Sequence, residues 1–296
     1  RQPVSVYRSQ KRGGHGITGM GTKEADFVEN MIITSTHKNI LFFTSRGRVY
    51  QLMGYEIPES GRTAKGTAVI NLLPLEQGEK ITAVIPIDAF DDSKYLFMTT
   101  KKGVVKKTVL TEYDTARKKT GLIALSLDDD DDLISVKLTD GKRQVIIGTK
   151  KGLAISFNEG DVRPMGRNTR GVRGIFLRNG DEVIGMDNVH DGAQVLTVTQ
   201  NGYGKRTGVD EYRLQARGGK GVINIKVTSK TGEVIGIKVV REDQEFMLIT
   251  NEGIVIRSEI NGISVISRNT QGVKLMKIEE NDSVAAMAVF DHESDE

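Results

Sequence analysis

Self-similarity at a period close to 50 residues limits what this chain can fold into more than any single motif does. A Thr-x-x-Gly turn closes an apolar run five times: "LFFTSRG" ends at Gly47, "LFMTTKKG" at Gly103, "VIIGTKKG" at Gly152, "LTVTQNG" at Gly202 and "MLITNEG" at Gly253. Successive copies lie 56, 49, 50 and 51 residues apart. A second element, polar and often basic, alternates with these turns and ends in glycine before an alternating apolar stretch. It occurs six times, as "QKRGGHGI", "GRTAKGTA", "ARKKTGLI", "GRNTRGVR", "QARGGKGV" and "SRNTQGVK". Its final glycines are Gly16, Gly66, Gly121, Gly171, Gly221 and Gly272.

Each repeat reads as strand, tight turn, strand, glycine-rich connection, strand, turn, strand. Stretches such as "VLTVT" and "GVINIKV" alternate with period 2 and are rich in residues that suit a pleated sheet. The turn glycines suit hairpins that need a positive φ. No helix-length window keeps a 3.6-residue apolar period, so helices are expected to be short or absent. The expected fold is all-β: a six-bladed propeller-like ring with about four antiparallel strands per repeat. It forms one domain over residues 1–290, followed by a short acidic tail, 291–296. Aligning "YRSQKRGGHG" with "YRLQARGGKG" sets Arg1 opposite Arg206, just past a hairpin. Six connections against five hairpins place the missing hairpin upstream of Arg1, so the first blade is expected to be incomplete at the N-terminus. A chain that starts at Arg1 and not at Met is itself expected to be part of a longer protein.

The formal net charge of +3 hides a larger surplus. Five acids form the run Asp128 to Asp132, and Asp291, Glu293, Asp295 and Glu296 crowd the last six residues. Without those nine, 42 cations face 30 acids, a net of +12. That surplus points to a polyanionic partner. The absence of cysteine excludes disulfides and thiolate metal sites and suits a reducing cytoplasm. No apolar run approaches the roughly 18 residues of a membrane-spanning helix, and no charged-then-apolar leader points to secretion.

Several motif-like patterns fail their context. Gly14, Gly16 and Gly19 in "GHGITG" spell a dinucleotide fingerprint, but that fingerprint belongs to a βαβ unit and here sits in a β-repeat. Asp128 to Asp132 lacks the spaced ligands and glycine of a calcium loop and falls where the other repeats carry turns such as "LEQGEK". His15, His37, His190 and His292 are scattered without metal-binding spacing. No nucleophile elbow or kinase set is present, so no catalytic residue and no metal ligand is assigned.

The connections carry the chemistry. "YRSQKRGGHG" and "YRLQARGGKG", 205 residues apart, both read YRxQxRGGxG. Paired glycines expose backbone N–H groups, and arginines such as Arg8 and Arg12 offer forked donors, a combination suited to phosphate. A flexible linker is the plainer alternative. The remaining copies keep the glycine and some cations.

"QKRGGHG" resembles the signature heptapeptide of the C-terminal domain of the DNA gyrase A protein, Gln-(Arg/Lys)-Arg-Gly-Gly-(Arg/Lys)-Gly, the gyrase A box. Gln10, Lys11, Arg12, Gly13, Gly14 and Gly16 match, and His15 replaces the usual cation. With a reference pKa of about 6.5, that position carries little charge at neutral pH. The resemblance runs through the whole repeat. The corresponding protein of topoisomerase IV has this box degraded or missing, so an intact copy favours gyrase. The resemblance implies a β-pinwheel, a ring whose blades swap strands and whose basic rim carries DNA. It also implies a parent enzyme that cleaves DNA with a tyrosine in a preceding domain not seen here.

On that basis the DNA-contacting set comprises the box, Gln10 to Gly16, and the second copy, Arg213, Gln215, Arg217, Gly218, Gly219, Lys220 and Gly221. The wider basic rim comprises Arg8, Arg46, Arg48, Arg62, Lys65, Lys101, Lys102, Lys106, Lys107, Arg117, Lys118, Lys119, Lys150, Lys151, Arg167, Arg170, Arg173, Lys205, Arg206 and Arg268. Spreading cations over every blade suits a bend. Curving 20–30 bp by 40–90° costs about 1–6 kcal/mol, and phosphate contacts along the path offset that cost. With no aromatic interleaving, the expected partner is duplex DNA held through phosphates with little base readout. The resemblance further implies a monomeric domain without a cofactor of its own. It would serve a bacterial, nucleoid-associated A2B2 holoenzyme with the gyrase B protein, which uses ATP and Mg2+ to introduce negative supercoils. A protein-binding propeller scaffold, or an enzyme with carboxylates in a central channel, are the alternatives from other classes.

Overall fold

In a computed structural model, residues 1, 3, 32, 34–61, 64–114, 120–178 and 180–291 are described. They form antiparallel sheets built on one plan. The first contains β1 (Asn39–Thr44), β2 (Arg48–Met53), β3 (Ile81–Ile87) and β6 (Leu122–Ile123), in the order β3-β1-β2-β6. The second joins β4 (Tyr95–Thr100), β5 (Val104–Val109), β7 (Leu133–Thr139) and β10 (Val172–Arg173) as β10-β5-β4-β7. The third joins β8 (Gln144–Thr149), β9 (Leu153–Asn158), β11 (Val183–Val189) and β14 (Val222–Ile223) as β11-β8-β9-β14. The fourth joins β12 (Gln194–Thr199), β13 (Tyr203–Gly208), β15 (Val234–Val240) and β18 (Val273–Lys274) as β15-β12-β13-β18. The fifth has three strands, β16 (Gln244–Thr250), β17 (Val255–Glu259) and β19 (Val284–Asp291), in the order β17-β16-β19. The only helices among the described residues are single 3-10 turns.

Two expectations are corrected here. Five blades are described, not six. The element ending at Gly16 lies outside the described residues, and the segment after Gly66 forms a 3-10 turn at Val69–Asn71 in place of a strand. The first described blade is also complete. Among the described residues the sheet with three strands is the last one, and in each of the other four the fourth strand comes from the following repeat. Thus β6 follows Gly121 yet pairs with β2 (Arg48↔Ile123), and β10, β14 and β18 pair back to β5, β9 and β13 in the same way. Counting hairpins against connections misses this, since it assigns each connection's strand to its own blade.

The Thr-x-x-Gly signal has a local cause. In each hairpin the glycine N–H donates to the threonine carbonyl, as Gly152 does to Thr149 at 3.0 Å. The threonine hydroxyl accepts the next N–H in four of the turns, for example Leu153 to Thr149 at 3.1 Å. At the same point the pairing with the repeat's last strand slips by one residue, a bulge that adds twist.

Glycine also permits a close approach. A Cβ on Gly152, whose φ is +85°, would sit 2.4 Å from the Ile225 carbonyl oxygen, because the borrowed strand docks on this turn. A Cβ on the connection glycine Gly221 (φ +72°) would sit 2.6 Å from the Ala154 carbonyl oxygen on the receiving blade.

The core is divided among the gaps between blades. Leu41, Phe43 and Ile85 of the first blade pack with Leu96, Met98 and Val136 of the second, and Phe97 and Val105 of the second pack with Ile147 and Phe157 of the third. The last strands β3, β7, β11, β15 and β19 contact one another in succession along one edge of the blades. The borrowed strands and glycine connections therefore occupy the opposite, outer edge. No helix among the described residues is long and apolar enough to cross a membrane.

Candidate nucleic-acid interface

Along the outer edge the glycine connections ending at Gly121, Gly171, Gly221 and Gly272 are laced each to the next. Arg167 Nη1 donates to the Ile123 carbonyl at 2.6 Å, Arg217 Nη1 to Arg173 at 3.2 Å, and Arg268 Nη1 to Ile223 at 2.8 Å. Each arginine stands four residues before its own final glycine, and each acceptor two residues after the preceding one. Backbone rungs run in the opposite sense: Ser126 N–H to Thr169, Phe176 to Gly219 and Lys226 to Thr270, at 3.1, 2.8 and 2.8 Å. Residues from Arg167 to Gly174 and from Arg217 to Asn224 are thereby held in one continuous belt.

The second box-like copy is part of this belt. Gly218 has φ +80° and donates its N–H to Gly174 at 2.6 Å, while Arg217 Nε donates to the Asp161 carbonyl at 3.0 Å. Gln215 is committed through its backbone N–H to Ser156 at 2.8 Å. Arg213 and Lys220 expose their side chains.

Other cations expected on the rim are interior. Lys106 and Lys107 lie in β5, Lys205 and Arg206 in β13, and all four are buried. Lys106 Nζ donates to the Ala124 carbonyl at 2.7 Å and also to that of Arg167. Lys205 Nζ donates to Ser267 and Arg268 at 2.7 and 2.6 Å, and Lys107 Nζ to Glu159 at 2.9 Å. Arg206 reaches the carbonyls of Ile263 and Asn261. Burial pulls Lys106 down to about 7, against the pull of Glu112, and Lys205 down to about 8. Lys106 and Lys205 hold the next repeat's connection, Lys107 and Arg206 hold the 3-10 turn that precedes it, and all four are withdrawn from the surface set.

The hairpin cations are mostly paired. Lys101 bridges to Glu182 at 3.2 Å, and Lys150 reaches Glu182 and Glu233 at 3.4 and 3.3 Å, a chain of ion pairs crossing three blades. Lys102 pairs with Asp130, and Lys151 donates its backbone N–H to Asp181 at 3.0 Å. Arg48 donates to the Thr120 carbonyl at 2.5 Å and lies 3.7 Å from Glu76. The acidic run is thus a cap on a neighbouring turn. Asp131 Oδ1 accepts the Lys102 N–H at 2.9 Å, and Asp128 meets Arg170 at 2.8 Å.

What remains exposed is a smaller set: Arg46, Lys65, Lys102, Lys151, Arg170, Arg173, Arg213 and Lys220. Arg173 lies 5.8 Å over the Phe176 ring, and Arg170 keeps 74% of its side chain exposed despite its ion pair. Gln10, Lys11, Arg12, Gly13, Gly14, His15, Gly16, Arg8, Arg62, Arg117, Lys118 and Lys119 lie outside the described residues. Sequence reasoning missed the exposed Lys226 and Lys274, and it missed Glu112 and Glu211, which accept the backbone N–H of Arg167 and Arg268 at 2.8 and 3.1 Å. Among the described residues no group of three or more acidic or histidine side chains is arranged to hold a metal.

A family model described as "DNA gyrase C-terminal domain, beta-propeller" matches residues 1–35, 38–88, 94–140, 143–190, 193–241 and 244–291. The segments from residue 38 onward coincide with the hairpin and last strand of the five described blades. The chain is 54% identical over 293 residues to the DNA gyrase A protein of Clostridium acetobutylicum, an alignment covering 99% of this chain and 35% of that protein. It spans about a third of the length of the curated relatives it matches. A solved C-terminal domain of DNA topoisomerase IV superposes with a TM-score of 0.83 at 26% identity, covering 92% of this chain and 84% of that one. A DNA gyrase A C-terminal domain superposes with a TM-score of 0.75 at 26% identity, covering 97% and 94%. By repeat, by fold and by the residues matched, the chain belongs to the family of DNA gyrase C-terminal domains.

Proposed function

We propose that this domain binds duplex DNA along its outer edge and bends it, as the wrapping domain of a gyrase A protein. The observation that carries this reading is the belt. On two successive connections of the laced edge an exposed cation, Arg170 and then Lys220, immediately precedes the final glycine, and Lys65 holds the same place on an earlier connection. Each phosphate neutralised releases counterions, so contributions accumulate along the path and offset the elastic cost of a bend. The contacts are to phosphate and carry little sequence information, because the exposed set is arginine and lysine without an element shaped for a groove.

Within a whole gyrase, the domain would present a wrapped segment to the DNA-cleaving part of the gyrase A protein. Strand passage driven by the gyrase B protein with ATP and Mg2+ would then introduce negative supercoils in the bacterial cytoplasm. The domain would supply wrapping and no catalytic residue. A second reading, the corresponding domain of topoisomerase IV, draws on the TM-score of 0.83 to that fold. The box "QKRGGHG" and the 54% identity to a gyrase A protein favour gyrase.

Circularisation of short duplexes and the linking number of relaxed plasmid, measured with the 296-residue chain at two salt concentrations, test the reading. Wrapping predicts enhanced circularisation and a linking difference that both fall steeply with salt. A protein-binding scaffold would leave DNA topology unchanged.

A further inference from the structure

Charge alone assigns the arginines at the fourth position before each final glycine to DNA. Their surroundings assign them otherwise. Arg167 is held at three points: its N–H by Glu112, its carbonyl by the buried Lys106, and its guanidinium on the Ile123 carbonyl. Arg268 repeats this with Glu211, Lys205 and Ile223, and its guanidinium lies 5.9 Å over the buried Tyr212 ring. Arg217 spans two carbonyls, those of Asp161 and Arg173. All three are only partly exposed, whereas Arg170, Arg173 and Lys220 beside them are exposed.

Resting on the DNA-wrapping reading above, we propose that Arg167, Arg217 and Arg268 are positioning residues that fix the spacing between successive phosphate-contacting cations, and are not themselves phosphate ligands. The physical need is specific. A charged edge attracts DNA whatever the spacing of its charges, but bending a stiff duplex requires contacts that keep their distances under load. A clasp between one connection and the next supplies that rigidity. The planar fork of arginine suits it, since one group can donate to two fixed carbonyls. The same residue type stands at this position in all six connections, as Arg12, Arg62, Arg117, Arg167, Arg217 and Arg268, while the position before the glycine varies through His15, Lys65, Thr120, Arg170, Lys220 and Gln271. Uniform spacing needs the former, and additive charge tolerates the latter.

The test compares the double variant Arg167→Gln, Arg268→Gln with the control Arg170→Gln, Lys220→Gln in the 296-residue chain. A short linear duplex and a relaxed closed plasmid serve as probes. Both variants must melt cooperatively; if the clasp pair does not, the single Arg268→Gln replaces it. The clasp variant is expected to bind the short duplex within about twofold of the parent with an unchanged salt slope. Its linking difference on plasmid should fall by at least half, and amide exchange at Ser126 and Lys226 should quicken. The control should lose affinity, and its slope should fall by about 0.9 per lost contact. A slope loss in the clasp variant equal to the control's overturns the inference, as does an undiminished linking difference. If the control and the parent alike show no salt-dependent wrapping, the DNA reading itself fails.

Discussion

The hairpin turns and the glycine connections look alike in composition, both being short, glycine-terminated and rich in lysine and arginine, yet the molecule uses them differently. At the hairpin end, Lys101, Lys102 and Lys150 meet carboxylates of their own or the next blade, so the positive charge is largely answered within the fold. Along the connections, Lys65, Arg173 and Lys220 stay exposed, and Arg170 stays exposed beside its ion pair with Asp128. Charge density alone does not mark a binding surface. What marks it is charge left over once neighbouring blades have taken what they need.

The sharpest way to break the comparison is through the glycines that join the two regions. Gly152→Ala forces a Cβ to within 2.4 Å of the Ile225 carbonyl oxygen at φ +85°, and Gly221→Ala does the same against Ala154 at 2.6 Å and φ +72°. Each should cost about 2–4 kcal/mol of stability, from an unfavourable backbone and a displaced borrowed strand. Gly262→Ala, with nothing within 4 Å of the new Cβ, should stay within about 0.5 kcal/mol. Denaturant unfolding of all three decides it: equal losses would mean the close approach is not what these glycines provide.

This pairing also shows what was legible in the sequence and what was not. The period, the hairpins and the glycine requirement could be read because local chemistry sets them, through the Thr149 hydroxyl and the turn it closes. Strand exchange could not be read from residue patterns, since Leu122–Ile123 looks the same whether it pairs within its blade or with β2. The fates of Lys106 and Arg206 were equally hidden. They sit on period-2 strands beside exposed-looking neighbours, and their partners lie far along the chain, at Arg167 for Lys106 and at Asn261 and Ile263 for Arg206. The clasp arginines did leave a trace, a fixed residue type at a fixed offset from the glycine in every copy, which a general account of rim charge does not require.

A second comparison should separate the regions on DNA. Replacing Arg170, Arg173 and Lys220 by glutamine should weaken duplex binding about tenfold or more at moderate salt. It should also flatten the log K against log salt plot by up to about 0.9 per lost contact. Replacing Lys101 and Lys150 should leave that slope within one contact of the parent. Equal slopes for the two variants would place the path over the hairpin end as much as over the connections.

Buried lysine offers a smaller, pH-dependent difference. Burial holds Lys106 down to about 7 in the folded chain, whereas an unfolded lysine titrates at about 10.4. Between those values the unfolded state binds the extra proton, so folding carries a penalty at low pH that is relieved as pH rises. Relative to Lys106→Met, the parent should gain stability from about pH 7 to 9, by at most about 1.4 kcal/mol per pH unit. A difference that does not vary with pH would show that the ammonium is fully accommodated by the Ala124 and Arg167 carbonyls.

The least of the expected effects sits in the chain of ion pairs at the hairpin end. Lys150 lies between Glu182 at 3.4 Å and Glu233 at 3.3 Å, and all three side chains are about one-third exposed. Such pairs are worth about 0.2–1 kcal/mol, so a double-mutant cycle of Lys150→Met with Glu233→Gln should give a coupling in that range, smaller in high salt. Burial works to raise the Glu182 carboxyl, but the ammonium groups of Lys101 and Lys150 outweigh it and hold the group below the usual carboxylate range. Its share of stability is therefore present at neutral pH and lost as pH falls through that lowered value. If instead the cycle shows no stability coupling while Lys150→Met flattens the salt dependence of DNA binding, Lys150 belongs with the outer-edge cations, and the division between the two regions disappears.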